Sequence, residues 1–285
     1  MSKILITGKN GQLGSELQDL SLQFPQHEMI FVDREEMDLS NANQIIEVLD
    51  RIKPEIIVSA GAYTAVDKAE TEQEQELCNT VNHLAVKTIG EWASKNKTKV
   101  IHISTDYVFG GTSEIPLKED DSTNPINVYG LTKLKGEEAL KTSGAEYIII
   151  RTAWVYSTYG ANFVKTMMRL MNERDEIGVV SDQIGTPTYA NDLAQVILNI
   201  IEASNFVQGT YHYSNEGKIS WYDFAIAIKE LKGFKCKVNA ISSNAFPTPA
   251  NRPKFSLLDK AKIKETYKIQ VPFWKDSLEE MIIKL

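Results

Sequence analysis

The sequence predicts a doubly wound α/β fold, in which helices cover both faces of a parallel sheet, with a smaller lobe towards the C-terminus. The first indication is that short Ile- and Val-rich runs alternate with helical patterns through the first half of the chain. These runs do not alternate in polarity, which is typical of strands buried on both faces. The second is a glycine-rich turn directly after the first run, where such sheets bind nucleotides.

The first half of the chain contains at least five strand-and-helix steps before Thr152. The first strand is KILIT, and a helix begins at about Gly11. The following segments are, in chain order, the strand EMIFV, the helix NANQIIEVLDRI, the strand EIIVSA, the helix LCNTVNHLAVKTIGEWASKN, the strand KVIHIS, a helix from about Asn127 to Thr142 and the strand EYIIIR.

Beyond Thr152 the alternation is less regular. The predicted elements there are the helices NFVKTMMRLMNER, NDLAQVILNIIEA and WYDFAIAIKELK, the strands GTYHYS and CKVNAI, and the proline-rich loop FPTPANRP. We therefore predict a dinucleotide-binding domain over residues 1–151, with returning segments near residues 181–213. Most of residues 152–285 are predicted to form a substrate-binding lobe.

Composition excludes several classes of protein. The chain is 42% hydrophobic and 24% charged, which is ordinary for a globular protein. Its formal net charge of -7 and the lack of a basic patch argue against nucleic-acid binding. Two distant cysteines fit neither a disulfide framework nor a metal site, and no run of about 18 apolar residues is present. The sequence thus predicts a cytoplasmic protein without a nucleic-acid or membrane partner and without a bound metal.

The glycine-rich turn has the pattern GxxGxxG, formed by Gly8, Gly11 and Gly14 at the opening of a helix. Glycines allow the backbone to approach a pyrophosphate, and the helix N-terminus offers free N–H groups and partial positive charge. Asp33 closes the next strand, 19 residues past Gly14, where an acidic side chain can accept from the adenosine ribose. Arg34 beside it can pair with the extra phosphate of NADP, so NADPH and NADH both stay open as cofactors.

A catalytic pair is predicted at Tyr129 and Lys133, which lie four residues apart on one helix face. The preceding strand ends at Ser104-Thr105-Asp106, and ligands of such sheets bind at the carboxyl ends of strands. We expect Tyr129 to donate a proton to a carbonyl oxygen. Lys133 is expected to lower the pKa of that phenol and to bind the ribose. Thr105 is expected to hydrogen-bond the same oxygen.

At these residues the chain resembles the extended short-chain dehydrogenases/reductases, and more narrowly the dTDP-4-dehydrorhamnose reductases. The likeness extends over nearly the whole chain, in TGKNGQLG, AYTAVDKAE, ISTDYVF, VYGLTK, RTAWVY, NFVKTM and PTPANRP. The resemblance implies a Rossmann-type fold and the reduction of dTDP-4-dehydro-beta-L-rhamnose to dTDP-beta-L-rhamnose with NADPH or NADH.

Residue pattern and resemblance together predict three groups of site residues. The catalytic group is Thr105, Tyr129 and Lys133. The cofactor-binding group is Gly8, Asn10, Gly11, Gln12, Leu13, Asp33, Arg34, Asp38, Leu39, Ala60, Gly61, Ala62, Tyr63, Thr64, Asn82, Tyr129 and Lys133. The substrate-binding group is Thr105, Asp106, Tyr129, Trp154 and Arg252. In the last group, the Trp154 indole can stack on a sugar or base, and Arg252 can clamp the substrate diphosphate.

Several alternatives stay open from sequence. Dehydratases of this fold carry an Asp-Glu pair after the threonine, but Tyr107 follows Asp106 here, which disfavours elimination. A nucleotide-sugar epimerase and a non-catalytic NADP-binding regulatory subunit are the remaining alternatives. Some relatives pair through a metal bound by acidic residues; Asn191 occupies one comparable position here, which leaves a homodimer possible but its metal bridge in doubt.

Overall fold

The computed structural model describes residues 2–285 and confirms the predicted α/β class. The first five predicted strands are present, followed by a sixth strand from the second half of the chain. The strands of the central sheet are β1 (Lys3–Thr7), β2 (Glu28–Val32), β3 (Ile56–Ser59), β4 (Lys99–Thr105), β5 (Tyr147–Thr152) and β10 (Gly209–His212). Short strands elsewhere are β6 (Val155–Tyr156), β7 (Glu176–Val180), β8 (Ile184–Gly185), β9 (Thr188–Tyr189), β11 (Ile219–Ser220) and β12 (Lys237–Ile241).

The helices cover this sheet and build the second lobe. Within residues 2–285 they are α1 (Gln12–Ser21), α2 (Ala42–Ile52), α3 (Glu72–Asn79), α4 (Ala85–Asn96), α5 (Val128–Thr142), α6 (Phe163–Glu173), α7 (Ala190–Glu202), α8 (Trp221–Lys232), α9 (Ala261–Tyr267) and α10 (Trp274–Ile283). A π-helical turn, Thr80–Leu84, joins α3 to α4, so the predicted long helix is continuous but locally widened. Among these residues, no helix combines the length and apolarity needed to cross a bilayer.

The central sheet has the strand order β10-β5-β4-β3-β1-β2, with every neighbouring pair parallel. One face is covered by α1 and α7, whose Leu17 and Ile197 pack in the same core cluster as the strand residue Ile6. The opposite face packs against α2 and α4. Since β1 lies between β2 and β3, the chain changes direction across the sheet at β1, and the loops after β1 and β3 open a crevice there.

The second lobe has its own apolar core, formed by α6, α8 and α10 around the parallel pair β7 and β12. The chain does not divide cleanly in sequence, because α7 and β10 return from the second half to pack on the central sheet. The domain boundaries at residues 151 and 152 therefore stay a prediction. Helices α9 and α10 and the short strands β6, β7, β8, β9 and β11 were not foreseen from the sequence.

Candidate active site

The loop after β1 meets the loop after β3 at the sheet's crevice. Gly8 adopts a φ of 76°, and a Cβ there would lie 2.9 Å from the Cα of Gly61. The Gly61 N–H also donates to the Thr7 hydroxyl at 2.9 Å. Only a residue without a side chain fits Gly8, so the two loops close together and form the floor of the crevice.

The N-terminus of α1 opens into this crevice. Gly11 is its N-cap, and no side chain caps the first turn. The first N–H groups of a helix lack partners within the helix and carry partial positive charge. A glycine at the cap leaves these groups to an anionic ligand, which is the arrangement expected for binding a pyrophosphate.

A cavity of about 560 Å³ occupies the crevice, and its lining includes most of the predicted cofactor site. The lining residues that were predicted from sequence are Gly8, Gly11, Gln12, Leu13, Asp33, Arg34, Asp38, Leu39, Ala60, Gly61, Ala62, Tyr63, Thr64, Tyr129 and Lys133. The catalytic pair and the glycine loop therefore border one continuous space.

Asn10 and Asn82 do not line this cavity but hold parts of its wall. The Asn10 N–H donates to Asp33 Oδ2 at 2.9 Å, which ties the glycine loop to the end of β2. The Asn82 side chain accepts from the Tyr63 N–H at 2.9 Å and donates to its carbonyl oxygen at 3.0 Å. Asn82 thus fixes the backbone of the loop after β3, and its predicted contact with the cofactor stays a prediction.

The acidic end of β2 bears on cofactor preference. Asp33 accepts the backbone N–H groups of Asn10 and Arg34, at 2.9 and 2.8 Å. The Arg34 side chain is 77% exposed and lies 3.5 Å from Asp38 Oδ2, so a weak surface ion pair is its only partner within residues 2–285. Arg34 can therefore turn towards a phosphate at little energetic cost.

Replacing Asp33 by alanine is expected to weaken NADH binding roughly tenfold, and NADPH binding less. The carboxylate can accept from a ribose hydroxyl, whereas it repels a ribose phosphate. Cofactor dissociation constants measured by fluorescence test this, with the exposed neighbour Glu35→Ala as the control for loss of one charge. Equal losses for both cofactors would mean that Asp33 supports only the loop through Asn10.

Packing at the N-terminus of α5 brings Tyr129 to the end of β4. Asn127 caps this helix by accepting the Gly130 N–H at 2.7 Å. A Cβ on Gly130 would lie 2.2 Å from the carbonyl oxygen of Tyr107, so the first turn of α5 rests directly on the backbone that follows β4. The ring of Tyr107 also packs edge-on against that of Tyr129, with centroids 5.8 Å apart.

The electrostatics of the pair differ from expectation. Burial raises the pKa of Tyr129, while a side-chain hydrogen bond with Thr105 lowers it and the charge of Asp106 raises it. The Lys133 ammonium does not point at the phenol: its Nζ donates to the Ile103 carbonyl oxygen at 2.7 Å. The predicted lowering of the Tyr129 pKa by Lys133 is therefore not seen in this structure, because the ammonium faces β4.

The pKa of Lys133 is itself shifted. Its side chain is almost completely buried, and this burial lowers its pKa to about 8, an effect opposed by the charge of Glu137. A second contact places Nζ 3.3 Å from Nε2 of His102, a strand residue that the sequence did not single out. The feature of the sequence that could have pointed to His102 is a single histidine within a largely apolar strand.

Thr105 and Asp106 form a buried polar corner at the end of β4. The Thr105 hydroxyl donates to Asp106 Oδ1 at 3.0 Å and accepts the Tyr107 N–H at 3.2 Å. Asp106 Oδ2 is buried with no partner among residues 2–285, and burial raises the pKa of this carboxyl to about 6. Neither residue lines the 560 Å³ cavity; both lie beside Tyr129, and their predicted contact with the substrate stays a prediction.

Trp154 lies where the chain leaves the sheet for the second lobe. Its indole stacks on Trp221, the first residue of α8, with ring centroids 3.7 Å apart. Its backbone has a φ of 50°, which is uncommon for a bulky residue and often marks a functional position. One face of the indole is thus covered by Trp221, so stacking on a sugar must use the other face or the edge.

Arg252 already holds an anion in this structure. Its Nη1 and Nη2 donate to the two carboxylate oxygens of Asp67, at 3.1 and 2.7 Å. This is the bidentate geometry predicted for a diphosphate, but the partner is a side chain from the loop after β3. A role of Arg252 in substrate binding therefore requires that it exchange or share this carboxylate, and it stays a prediction.

The position of Asn191 is also defined. Its amide donates to Glu16 Oε2 at 2.9 Å, and the Ser157 hydroxyl donates to Oε1 at 2.6 Å. Both oxygens of the buried Glu16 thus have partners within the chain. Residues 2–285 contain no cluster of three or more acidic, histidine or cysteine side chains suited to a metal.

Other residues lining the cavity were missed from sequence. Val155, Gly160 and Ala161, from the segment after β5, form one wall, and Met37 and Ser40 contribute near the end of β2. The segment after β5 could have been anticipated, because ligands of such sheets lie outside the carboxyl ends of the strands.

Comparison with known proteins agrees with this geometry. The family model described as RmlD substrate binding domain matches residues 2–285. A curated dTDP-4-dehydrorhamnose reductase from Aggregatibacter actinomycetemcomitans is 41% identical, with 99% of this chain and 98% of the relative covered. Solved dTDP-4-dehydrorhamnose reductases include one from Clostridium acetobutylicum, 41% identical, with a TM-score of 0.93 and 99% of both chains covered. Another, from Bacillus anthracis in complex with NADP, is 39% identical, with a TM-score of 0.94, covering 100% of this chain and 99% of its own.

Proposed function

The chain belongs to the RmlD substrate binding domain family, and from this membership and its active site we propose that it is a dTDP-4-dehydrorhamnose reductase. It reduces the 4-keto group of dTDP-4-dehydro-beta-L-rhamnose with NADPH or NADH, yielding dTDP-beta-L-rhamnose. The observation that carries the proposal is that Tyr129 and Lys133 border the same cavity as the glycine loop.

The residues present fit a nicotinamide dinucleotide. The uncapped N-terminus of α1 suits the pyrophosphate, and the contact of Gly8 with Gly61 leaves space that a side chain would fill. Asp33 and Arg34 would hold the adenosine ribose, and Tyr129 and Lys133 would face the nicotinamide end. When bound, the reduced cofactor supplies the hydride.

The chain's own residues supply the proton and the orientation. Tyr129 donates its phenolic proton to the oxygen of the substrate carbonyl as negative charge develops there. Thr105 lies beside Tyr129, and its hydroxyl can turn from Asp106 to donate to the same oxygen and so stabilise that charge. Burial, which raises the pKa of Tyr129, keeps the phenol protonated before the reaction and ready to act as an acid.

The test is to mix the purified protein with enzymatically generated dTDP-4-dehydrorhamnose and follow the absorbance of NADPH and of NADH separately. Stoichiometric oxidation of the cofactor together with formation of dTDP-rhamnose is expected. Conversion of the ketosugar into an epimer of the same oxidation state, without net cofactor consumption, would identify an epimerase. Cofactor binding without any turnover would instead support the non-catalytic regulatory subunit.

A further inference from the structure

His102 is a buried titratable residue that the proposed reaction does not use. It lies in the middle of β4 with 0% of its surface exposed, although its neighbours along the strand are mainly apolar. Its Nε2 lies 3.3 Å from Lys133 Nζ, and its Nδ1 lies 3.1 Å from the hydroxyl of Ser59 at the end of β3. Both ring nitrogens therefore have a partner.

The contact with Lys133 determines which nitrogen carries the proton. A lysine ammonium has three donors and no acceptor, so Nε2 must accept from Nζ. The single proton of the neutral ring is then on Nδ1 and is donated to Ser59 Oγ. Protonation of the ring would put two cations in direct contact, and burial with the charge of Lys133 keeps the pKa of His102 well below its usual range. The ring thus remains a neutral acceptor as long as Lys133 is charged, which is below about pH 8.

This contact leaves one donor of Lys133 for the ligand. One N–H is directed to the Ile103 carbonyl oxygen at 2.7 Å and a second to His102, while the side chain also borders the cavity. An unsupported lysine would have several rotamers available, each with a different direction for its third donor.

We propose that His102 is a positioning residue, which holds the Lys133 ammonium against β4 so that its remaining N–H faces the ribose and carbonyl ends of the site. The proposal rests on the reductase function for its kinetic consequences. Its geometric content, a neutral Nδ1–H ring accepting from Lys133, does not depend on that function.

Other groups around Lys133 set its charge. Glu137, on the next turn of α5, raises its pKa, as does Cys78 from α3, whereas burial lowers it to about 8. Glu137 is in turn paired with Arg151 from β5. Tyr129 on α5 carries no charge near this pH, because burial raises its pKa. We therefore expect the alkaline limb of the kcat/KM profile to report Lys133, with activity lost as the pH rises through about 8.

Two near-isosteric variants separate the roles of the two ring nitrogens. His102→Gln can keep an acceptor near the position of Nε2. His102→Asn can keep a donor to Ser59 near the position of Nδ1, but its side chain is too short to place an acceptor where Nε2 meets Lys133. We expect His102→Asn to lower kcat/KM about tenfold, the usual effect of losing a hydrogen bond to a charged group. Its alkaline limb should move to lower pH, because the ammonium loses an acceptor that favours its charged form. His102→Gln should keep both kcat/KM and the position of the alkaline limb close to those of the wild-type protein.

Equal losses in the two variants, with no shift of the alkaline limb, would overturn the proposal and leave His102 as a packing residue. A second measurement uses the wild-type protein and needs neither variant to fold nor any turnover. Long-range ¹H–¹⁵N spectra of the imidazole rings report the tautomer, with His102 assigned by substituting the other three histidines in turn. We expect a neutral Nδ1–H ring between about pH 6, where an ordinary histidine would be largely protonated, and about pH 8, where Lys133 loses its charge. An Nε2–H ring would contradict the contact itself, whether or not the protein proves to be a reductase.

Discussion

Tyr129→Phe is expected to lower kcat by about 10²- to 10⁴-fold, the usual contribution of a general acid. The phenolic proton is lost, but the ring still packs edge-on against Tyr107, so the cavity and the glycine loop stay intact. Cofactor affinity should therefore change little. Steady-state turnover with the ketosugar, together with NADPH binding by fluorescence, measures the two quantities separately.

The neighbouring Tyr107→Phe is the matched control, since it also removes one phenolic hydroxyl close to the end of β4. Its hydroxyl lies towards Arg252 and not towards Thr105, so a loss well below that of Tyr129→Phe is expected. Full turnover in Tyr129→Phe would show that another group, such as the buried carboxyl of Asp106, donates the proton.

Arg151→Met is expected to destabilise the fold by about 3 kcal/mol, because it leaves the buried carboxylate of Glu137 with only the partly exposed Lys141, at 3.3 Å, as a charge partner. The two side chains are 2% and 0% exposed. They form a bidentate pair, with Nε to Oε1 at 2.9 Å and Nη2 to Oε2 at 2.7 Å, and Ser104 donates to the same carboxylate at 2.6 Å. Urea unfolding of the single variant measures the effect.

The double variant Arg151→Met with Glu137→Gln removes both charges and keeps an acceptor for Ser104. It should recover most of the lost stability, because the cost arises from a buried charge that Lys141 alone pairs weakly, and not from the loss of the Arg151–Glu137 pair as such. The pair should contribute at neutral pH and lose its effect as the pH falls: burial alone would raise the pKa of Glu137, but its hydrogen bonds and the charge of Arg151 lower it. If the single and double variants were equally unstable, the pair would matter only for packing.

This pair also marks a limit of sequence analysis. Arg151 and Glu137 were read as part of a strand and of a helix, and nothing in their local sequence distinguishes a buried charge from a surface one. They meet because α5 packs beside the carboxyl ends of β4 and β5. The same packing sets the rotation of α5 about its own axis. The spacing of Tyr129 and Lys133 therefore predicts that they share one helix face, but it does not predict that the Lys133 side chain turns towards β4.

Arg252 shows the same limit of sequence analysis for residues that lie far apart in the chain. Its position in a polar, proline-rich loop predicted only a free cation near the substrate. Asp67, 185 residues earlier in the chain, lies in the loop after β3 and accepts from the guanidinium. No local pattern carries information about such a partner.

The sequence by itself determined the sheet, the glycine loop and the spacing of the catalytic pair, because each depends on residues near one another in the chain. Periodic burial defines strands and helices, a glycine at one position permits one turn, and a helix brings residues four apart to one face. Only the tertiary structure decided the partners of Lys133, Arg252 and Glu137 and the wall added by the segment after β5. Those contacts depend on how separate elements pack, and the direction of a long charged side chain follows the polar groups that packing brings within its reach.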